Sequence, residues 1–136
     1  MYFLRHYIFL IPLIVMILSD ITKVGIEYAT TGDWRRGIFR SGGMPSSHSA
    51  FVTSLLMIVA RKAGTDSASF AIAFVFACIV WYDAMSVRRE VGLQAEMLNR
   101  LQNWTHFSER VGHSFKQVIA GIAFGAIVTQ IGIWLS

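Results

Sequence analysis

Sixteen uncharged residues precede Asp83, and the last twenty residues of the chain carry no charge at all. A helix crossing the hydrocarbon core of a bilayer needs about 20 predominantly apolar residues, so both runs read as spans. Composition agrees: of 136 residues, 54% are hydrophobic and only 15% are charged. The expectation is an all-α integral membrane protein, multi-pass, forming one domain over residues 1–136. The formal charge of +4 is modest and no basic run interleaved with aromatics occurs, so no nucleic-acid partner is expected. Cys78 is the single cysteine. It reads as a buried structural thiol. Nothing in the histidine and cysteine spacing suggests zinc, and no metal or cofactor is implied.

A helical bundle of about four spans follows, with one further amphipathic helix. The first span covers residues 6–29. Its apolar start could pass for a signal-peptide core, but no small-residue cleavage site follows closely, and Asp20, Lys23 and Glu27 continue it. Those three charges step by three and four and share a face. In a membrane helix such a face turns to the protein interior or to a wet cavity. At ~1.5 Å per residue, Lys23 lies roughly 25 Å beyond His6, near the far interface. Trp34, in the loop that follows, is a natural interface anchor. The second helix covers residues 45–62 and ends at Arg61, Lys62 and Gly64. The third starts at Thr65 or Asp66 as cap and runs to residue 87, with Trp81 and Tyr82 at its far interface. Leu93, Met97, Leu101 and Trp104 then recur at helical spacing, opposite Glu96, Arg100 and Asn103. That amphipathic helix lies in the interface, lids a site, or packs on the bundle. The last helix covers residues 114–134. Its Gly121 and Gly125 form a G-x-x-x-G pair suited to close packing, either within the chain or in a homodimer.

Gly42-Gly43-Met44-Pro45-Ser46-Ser47-His48-Ser49-Ala50 is the stretch around which the chain is arranged. Proline suits a first helical position. A helix beginning at Pro45 would aim backbone N–H groups and the Ser46 and Ser47 hydroxyls into the turn, making an anion site. Four spans place the loop after helix 1 and the loop before helix 4 on one side. Lys23, Ser46, Ser47, His48, Asp83, Arg88, Arg89 and His113 gather there. Two histidines among cations and helix N-termini suit phosphoryl transfer without a metal. One histidine attacks phosphorus, the other protonates the leaving oxygen, and cations and N–H groups stabilise the transferring oxygens.

Pro45-Ser46-Ser47-His48 resembles the P-S-G-H motif of the type-2 phosphatidic acid phosphatase superfamily, which also includes the vanadium haloperoxidases. With the stretches around Asp83 to Arg89, Gly112-His113 and Val118 to Gly121, the chain resembles more closely the divergent, small-membrane-protein branch of that superfamily. The resemblance implies His113 as nucleophile and His48 as general acid. It implies phosphoryl binding by Lys23, Ser46, the N–H groups around Ser47, and Arg88 or Arg89. The substrate implied is a lipid phosphate or diphosphate, met among membrane lipids.

Three departures stand out. The arginine-proline expected after Lys23 is missing, and Arg35, Arg36 or Arg40 would have to substitute. More than twenty residues separate Arg89 from His113 where a few are expected, so the amphipathic stretch reads as an insertion. Gln117 occupies the place of an acid that orients the nucleophile. Either Asp83 or Glu109 takes that role, with Asp83 the better placed, or turnover is slow or lost. The non-catalytic alternative is a lipid-phosphate binder, transporter or scaffold. The positive-inside rule would put the site in the cytoplasm, but phosphate-binding arginines inflate the count, so its side stays open.

Overall fold

The computed structural model describes residues 10–32 and 43–135. Within them lie five helices: α1 (Leu10–Thr31), α2 (Ser47–Ala63), α3 (Ala68–Met85), α4 (Val87–Leu101) and α5 (Phe115–Leu135). Residues 6–9 of the first expected span, and the loop residues Trp34, Arg35, Arg36 and Arg40, lie outside the described residues.

α2 is the central helix, packing against α1, α3 and α5. Small and hydroxylated side chains make this possible. Ser47, Ser49, Ala50, Val52, Thr53, Ser54 and Ile58 are all buried on it. α1 meets it through Pro12, Val15 and Ser19, one stripe at helical spacing. α3 buries only Ala73, Ala77 and Ala84.

α5 comes closest. A Cβ on Gly121 would strike the Ser46 carbonyl oxygen, and one on Gly125 would strike the Ala50 carbonyl oxygen. One turn further on, Thr129 Oγ1 donates to Ser54 Oγ at 2.7 Å, both side chains buried. Positions 46, 50 and 54 thus meet 121, 125 and 129 in the same order, so the two helices run parallel. Of the two readings of Gly121 and Gly125, packing within the chain is the one seen, with α2 against both glycines.

Helix ends follow local chemistry, with three corrections. α2 starts at Ser47 rather than Pro45, because Ser46 is the cap and its Oγ accepts from Ser49 N at 3.4 Å. α3 is capped by Ser67 rather than Thr65 or Asp66, with Phe70 N donating to Ser67 Oγ at 3.1 Å. α3 also stops at Met85, since Ser86 leaves helical geometry (φ −112°, ψ −80°) before α4 resumes. Gly64 ends α2 at φ +84°, a conformation open to glycine.

Two stretches are long and apolar enough to cross a membrane: residues 68–101, running through α3 and α4, and α5. Their large side chains face outward. Ile72, Val75 and Ile79 of α3 and Ile127 and Ile131 of α5 are all exposed. Cys78 is exposed too, correcting the expected buried thiol, because α3 packs on one side only. α1 carries Asp20, Lys23 and Glu27, and α2 has only 17 residues, so neither passes the same test. α4 buries Gly92 and Ala95, while Leu93, Met97 and Leu101 point away from the protein; Trp104 lies beyond its end. The chain is therefore a membrane-associated all-α protein with candidate spanning helices.

The α2–α5 contact sets a direct expectation. Gly125→Ala drives a methyl into the Ala50 backbone and should destabilise by about 1–3 kcal/mol, as overpacking does. Gly132→Ala, with nothing within 4 Å of the added methyl, should leave stability unchanged or slightly raised. Thermal unfolding of both variants in detergent measures the difference.

Candidate active site

The N-termini of α2, α4 and α5 and the C-terminus of α3 converge at one end of the bundle. α2 and α5 begin there, tied by Ser46 N donating to Gln117 O at 3.2 Å. α3 ends there, and its Ala84 carbonyl accepts from His113 N at 3.0 Å. Orphan N–H groups and the helix dipoles give such an end a positive bias.

On α1, the Lys23 side chain is only 15% exposed and its Nζ lies 3.1 Å from Asp20 Oδ1. Asp20 Oδ1 also accepts from Ser47 Oγ at 2.5 Å, and Ser19 Oγ donates to Ser47 Oγ at 3.4 Å. Gly43, where the chain re-enters, sits against the Lys23 stem: an added Cβ would lie 3.3 Å from Lys23 Cγ and Cδ. Asp20 thus holds the charges of α1 to the start of α2. Sequence reading placed Asp20 on the right face and missed this role, because the partner is 27 residues away.

Ser46 and Ser47 are buried and their hydroxyls are engaged inside the protein. Ser46 Oγ accepts from Ser49 Oγ at 3.0 Å as well as from the helix. The expectation that both hydroxyls open into the turn rested on a helix starting at Pro45. A start two residues later turns them inward. His48, by contrast, is exposed on the first turn of α2.

His48, Asp83, Arg88 and His113 line one small cavity of about 10 Å³, with Val80 and Ala84. That is room for roughly one water. Arg88 Nε donates to Asp83 Oδ2 at 2.6 Å, so the described partner of Asp83 is Arg88 and not the His113 ring. Arg88 belongs to this cavity. Arg89 instead lines a wider cleft of about 710 Å³, together with Glu109, Arg110, Gln117 and again His113. Glu109 accepts from Asn99 Nδ2 at 2.8 Å.

His113 is 7% exposed, and among the described residues neither ring nitrogen has a hydrogen-bond partner. Burial, reinforced by Lys23, His48 and Arg88, lowers its pKa from 6.5 to about 4. At neutral pH the ring is uncharged, and one nitrogen carries a free lone pair. Among the described residues no three His, Cys, Asp or Glu side chains group as metal ligands would.

Gln117 has a definite task. Its Oε1 accepts from Ser114 N at 2.8 Å, and its own N–H donates to Ser114 Oγ at 3.3 Å. This is a reciprocal capping box at the start of α5. The pattern Ser-x-x-Gln was there to be read in the sequence.

No solved structure matches this chain. Over 100 residues it is 41% identical to the Uncharacterized membrane protein YuiD of Bacillus subtilis (strain 168). That match takes in 72% of this chain and 63% of the relative, so the chain spans under two thirds of that protein's length. A model of the divergent PAP2 family matches residues 4–128. Nearly the whole chain, the apolar helices and the histidine-bearing end included, is thereby accounted for, and the protein belongs to the divergent PAP2 family.

Proposed function

We propose that the protein is a metal-independent phosphatase acting on a lipid phosphate or diphosphate at the bilayer surface. The observation that carries this reading is His113: buried, uncharged at neutral pH, its ring nitrogens unpartnered among the described residues, and next to Lys23, His48 and Arg88. A nucleophile needs that combination.

In the proposed reaction an imidazole nitrogen of His113 donates its lone pair to phosphorus. The bond from phosphorus to the leaving oxygen breaks, and His48 passes that oxygen a proton. Water then attacks the phosphohistidine, His48 takes a proton from it, and inorganic phosphate leaves with the imidazole restored. Lys23 and Arg88 balance the charge on the transferring oxygens, Arg88 as a planar donor and Lys23 as a point charge. Ser46 and Ser47 contribute by shaping the turn, so that the first N–H groups of α2 face the phosphoryl group. Entry of that group draws Arg88 away from Asp83, since the cavity between them is small. Asp83 is then the resting partner of Arg88. Arg89 meets the substrate from the wider cleft.

The proposed topology has α1, α2, α3 and α5 crossing the bilayer and α4 in the interface, its outward stripe of Leu93, Met97 and Leu101 against lipid. On α1 the half-buried Lys23 is paired with Asp20, the arrangement that makes charge tolerable in a span. Closure of the small cavity favours a second reading, a lipid-phosphate binder, transporter or scaffold without turnover.

Phosphate release from long-chain lipid phosphates and diphosphates, by protein in detergent with excess chelator, separates the two. Release should survive the chelator and fall at least about 10³-fold in His113→Ala, the size of effect expected when a nucleophile is removed. Binding of the same lipids with no release would favour the second reading. Gln117→Glu gives a separate expectation. Glutamate makes the same capping box, so the rate should stay within about threefold of the parent. A gain of orders of magnitude would mean that position 117 orients the nucleophile after all.

A further inference from the structure

The stretch between Arg89 and His113 forms a hairpin of unlike arms. α4 leads away from the site, and residues 102–113 return along it as an extended strap. Gln102 makes the turn: its Oε1 accepts from Trp104 N and Thr105 N, both at 3.0 Å. Asn99 then grips the strap. Its Oδ1 accepts from Phe107 N at 2.8 Å, and its Nδ2 donates to Phe107 O at 2.9 Å. Nearer the site, α4 leaves space where the strap passes: a Cβ on Gly92 would strike the Glu109 carbonyl oxygen. Gly112 in turn lies against the backbone of Arg88 and Arg89. His113 N finally donates to Ala84 O at 3.0 Å.

Burial does not hold this strap. Residues 103–110 are all exposed. Its path is set by Asn99 at one end and the Ala84 carbonyl at the other. The lengths leave little slack. Ten residues of helix, Asn99 back to Arg89, span about 15 Å. Five residues of strap, Phe107 to Gly112, reach at most about 17 Å when fully extended. Fixing Phe107 therefore fixes where His113 arrives.

We infer that α4 and the strap are a tether that holds His113 in its reacting position, with Asn99 as the positioning residue. The inference rests on the reading of His113 as nucleophile and adds to it a residue that touches neither substrate nor ring. It also gives the stretch of more than twenty residues between Arg89 and His113 a task.

Two variants test it: Asn99→Ala, which removes the grip, and one glycine inserted between Ser108 and Glu109, which adds slack. Each is compared with the parent in detergent by lipid-phosphate hydrolysis and by NMR of 15N-histidine-labelled protein, with the His113 signal assigned through His113→Ala. A displacement of about 1 Å costs on the order of a hundred-fold in rate, so kcat should fall by that much with KM little changed. The ring should also become wetter while still facing Lys23 of α1, His48 of α2 and Arg88 of α4. The pH at which it loses its proton should rise from about 4 toward 6.5, and the acid limb of the rate profile should rise with it. Folded variants with the parent's kcat and the parent's His113 titration overturn the tether. So does a loss of rate with the titration unmoved. If Asn99→Ala does not accumulate in the membrane, the insertion variant decides by the same two readouts. Retained hydrolysis in His113→Ala would by itself sink the reading of His113 as nucleophile, and the titration would still decide whether Asn99 positions the ring.

Discussion

α2 and α5 touch where neither carries a large side chain, and the site depends on that contact. Lipid tails are as apolar as leucine, so helices in a membrane gain little from hydrophobic burial against each other. In the proposed topology α2 and α5 both cross the bilayer, so close packing and interhelical hydrogen bonds must hold them. Gly121 and Gly125 let the α5 backbone reach the Ser46 and Ala50 carbonyl oxygens, and Thr129 donates to Ser54. Because the two helices run parallel, the contact brings both N-termini to one end. His48 stands on the first turn of one, and His113 immediately precedes the other. The short link 64–67 turns α3 back along α2, and α1 meets the start of α2 through Ser19 and Asp20, so these helices deliver Lys23, Asp83 and the Ala84 carbonyl.

The electrostatics of that end are uneven in a useful way. Asp20 and Asp83 each hold a cation, Lys23 and Arg88. Among the described residues no carboxylate bonds to the His113 ring, and burial and positive neighbours keep its imidazole uncharged. An aspartate on the ring would do the reverse, favouring the imidazolium and occupying a nitrogen. Gln117 fits this picture as a cap of α5 rather than a weakened orienting acid. The position is taken by helix chemistry, and the ring is aimed by its backbone bond to α3 and by the strap that leads to it.

Much of the fold was legible because lipid imposes simple rules. The uncharged runs marked α3 and α5, and the glycine pair marked a close contact, although only three dimensions show that α2 of the same chain fills it. Helix starts were harder. Pro45 and Asp66 offered plausible beginnings, and the observed caps, Ser46 and Ser67, were adjacent residues with equally good side chains. Lys23, His48, Arg88 and His113 lie near one another at one end of the bundle. Distinguishing Arg88 from Arg89 required the angle at which α4 leaves Ser86. Asp20 with Ser47, and Asn99 with Phe107, were invisible in sequence, because each pair joins side chain to partner across a fold that spacing does not encode. The Ser114–Gln117 box was visible as Ser-x-x-Gln, although the family resemblance pointed to an acid at position 117.

The central claim is that His113 accepts the phosphoryl group. Acid-labile phosphate on histidine can be trapped by mixing the protein with a 32P-labelled lipid phosphate, quenching within the first turnover in alkali, and mapping the labelled peptide. The expected result is label on the peptide holding His113, lost when excess unlabelled lipid is allowed to turn over before the quench. Label on the His48 peptide, or steady phosphate release with no labelled histidine at any time point, would contradict the mechanism described here.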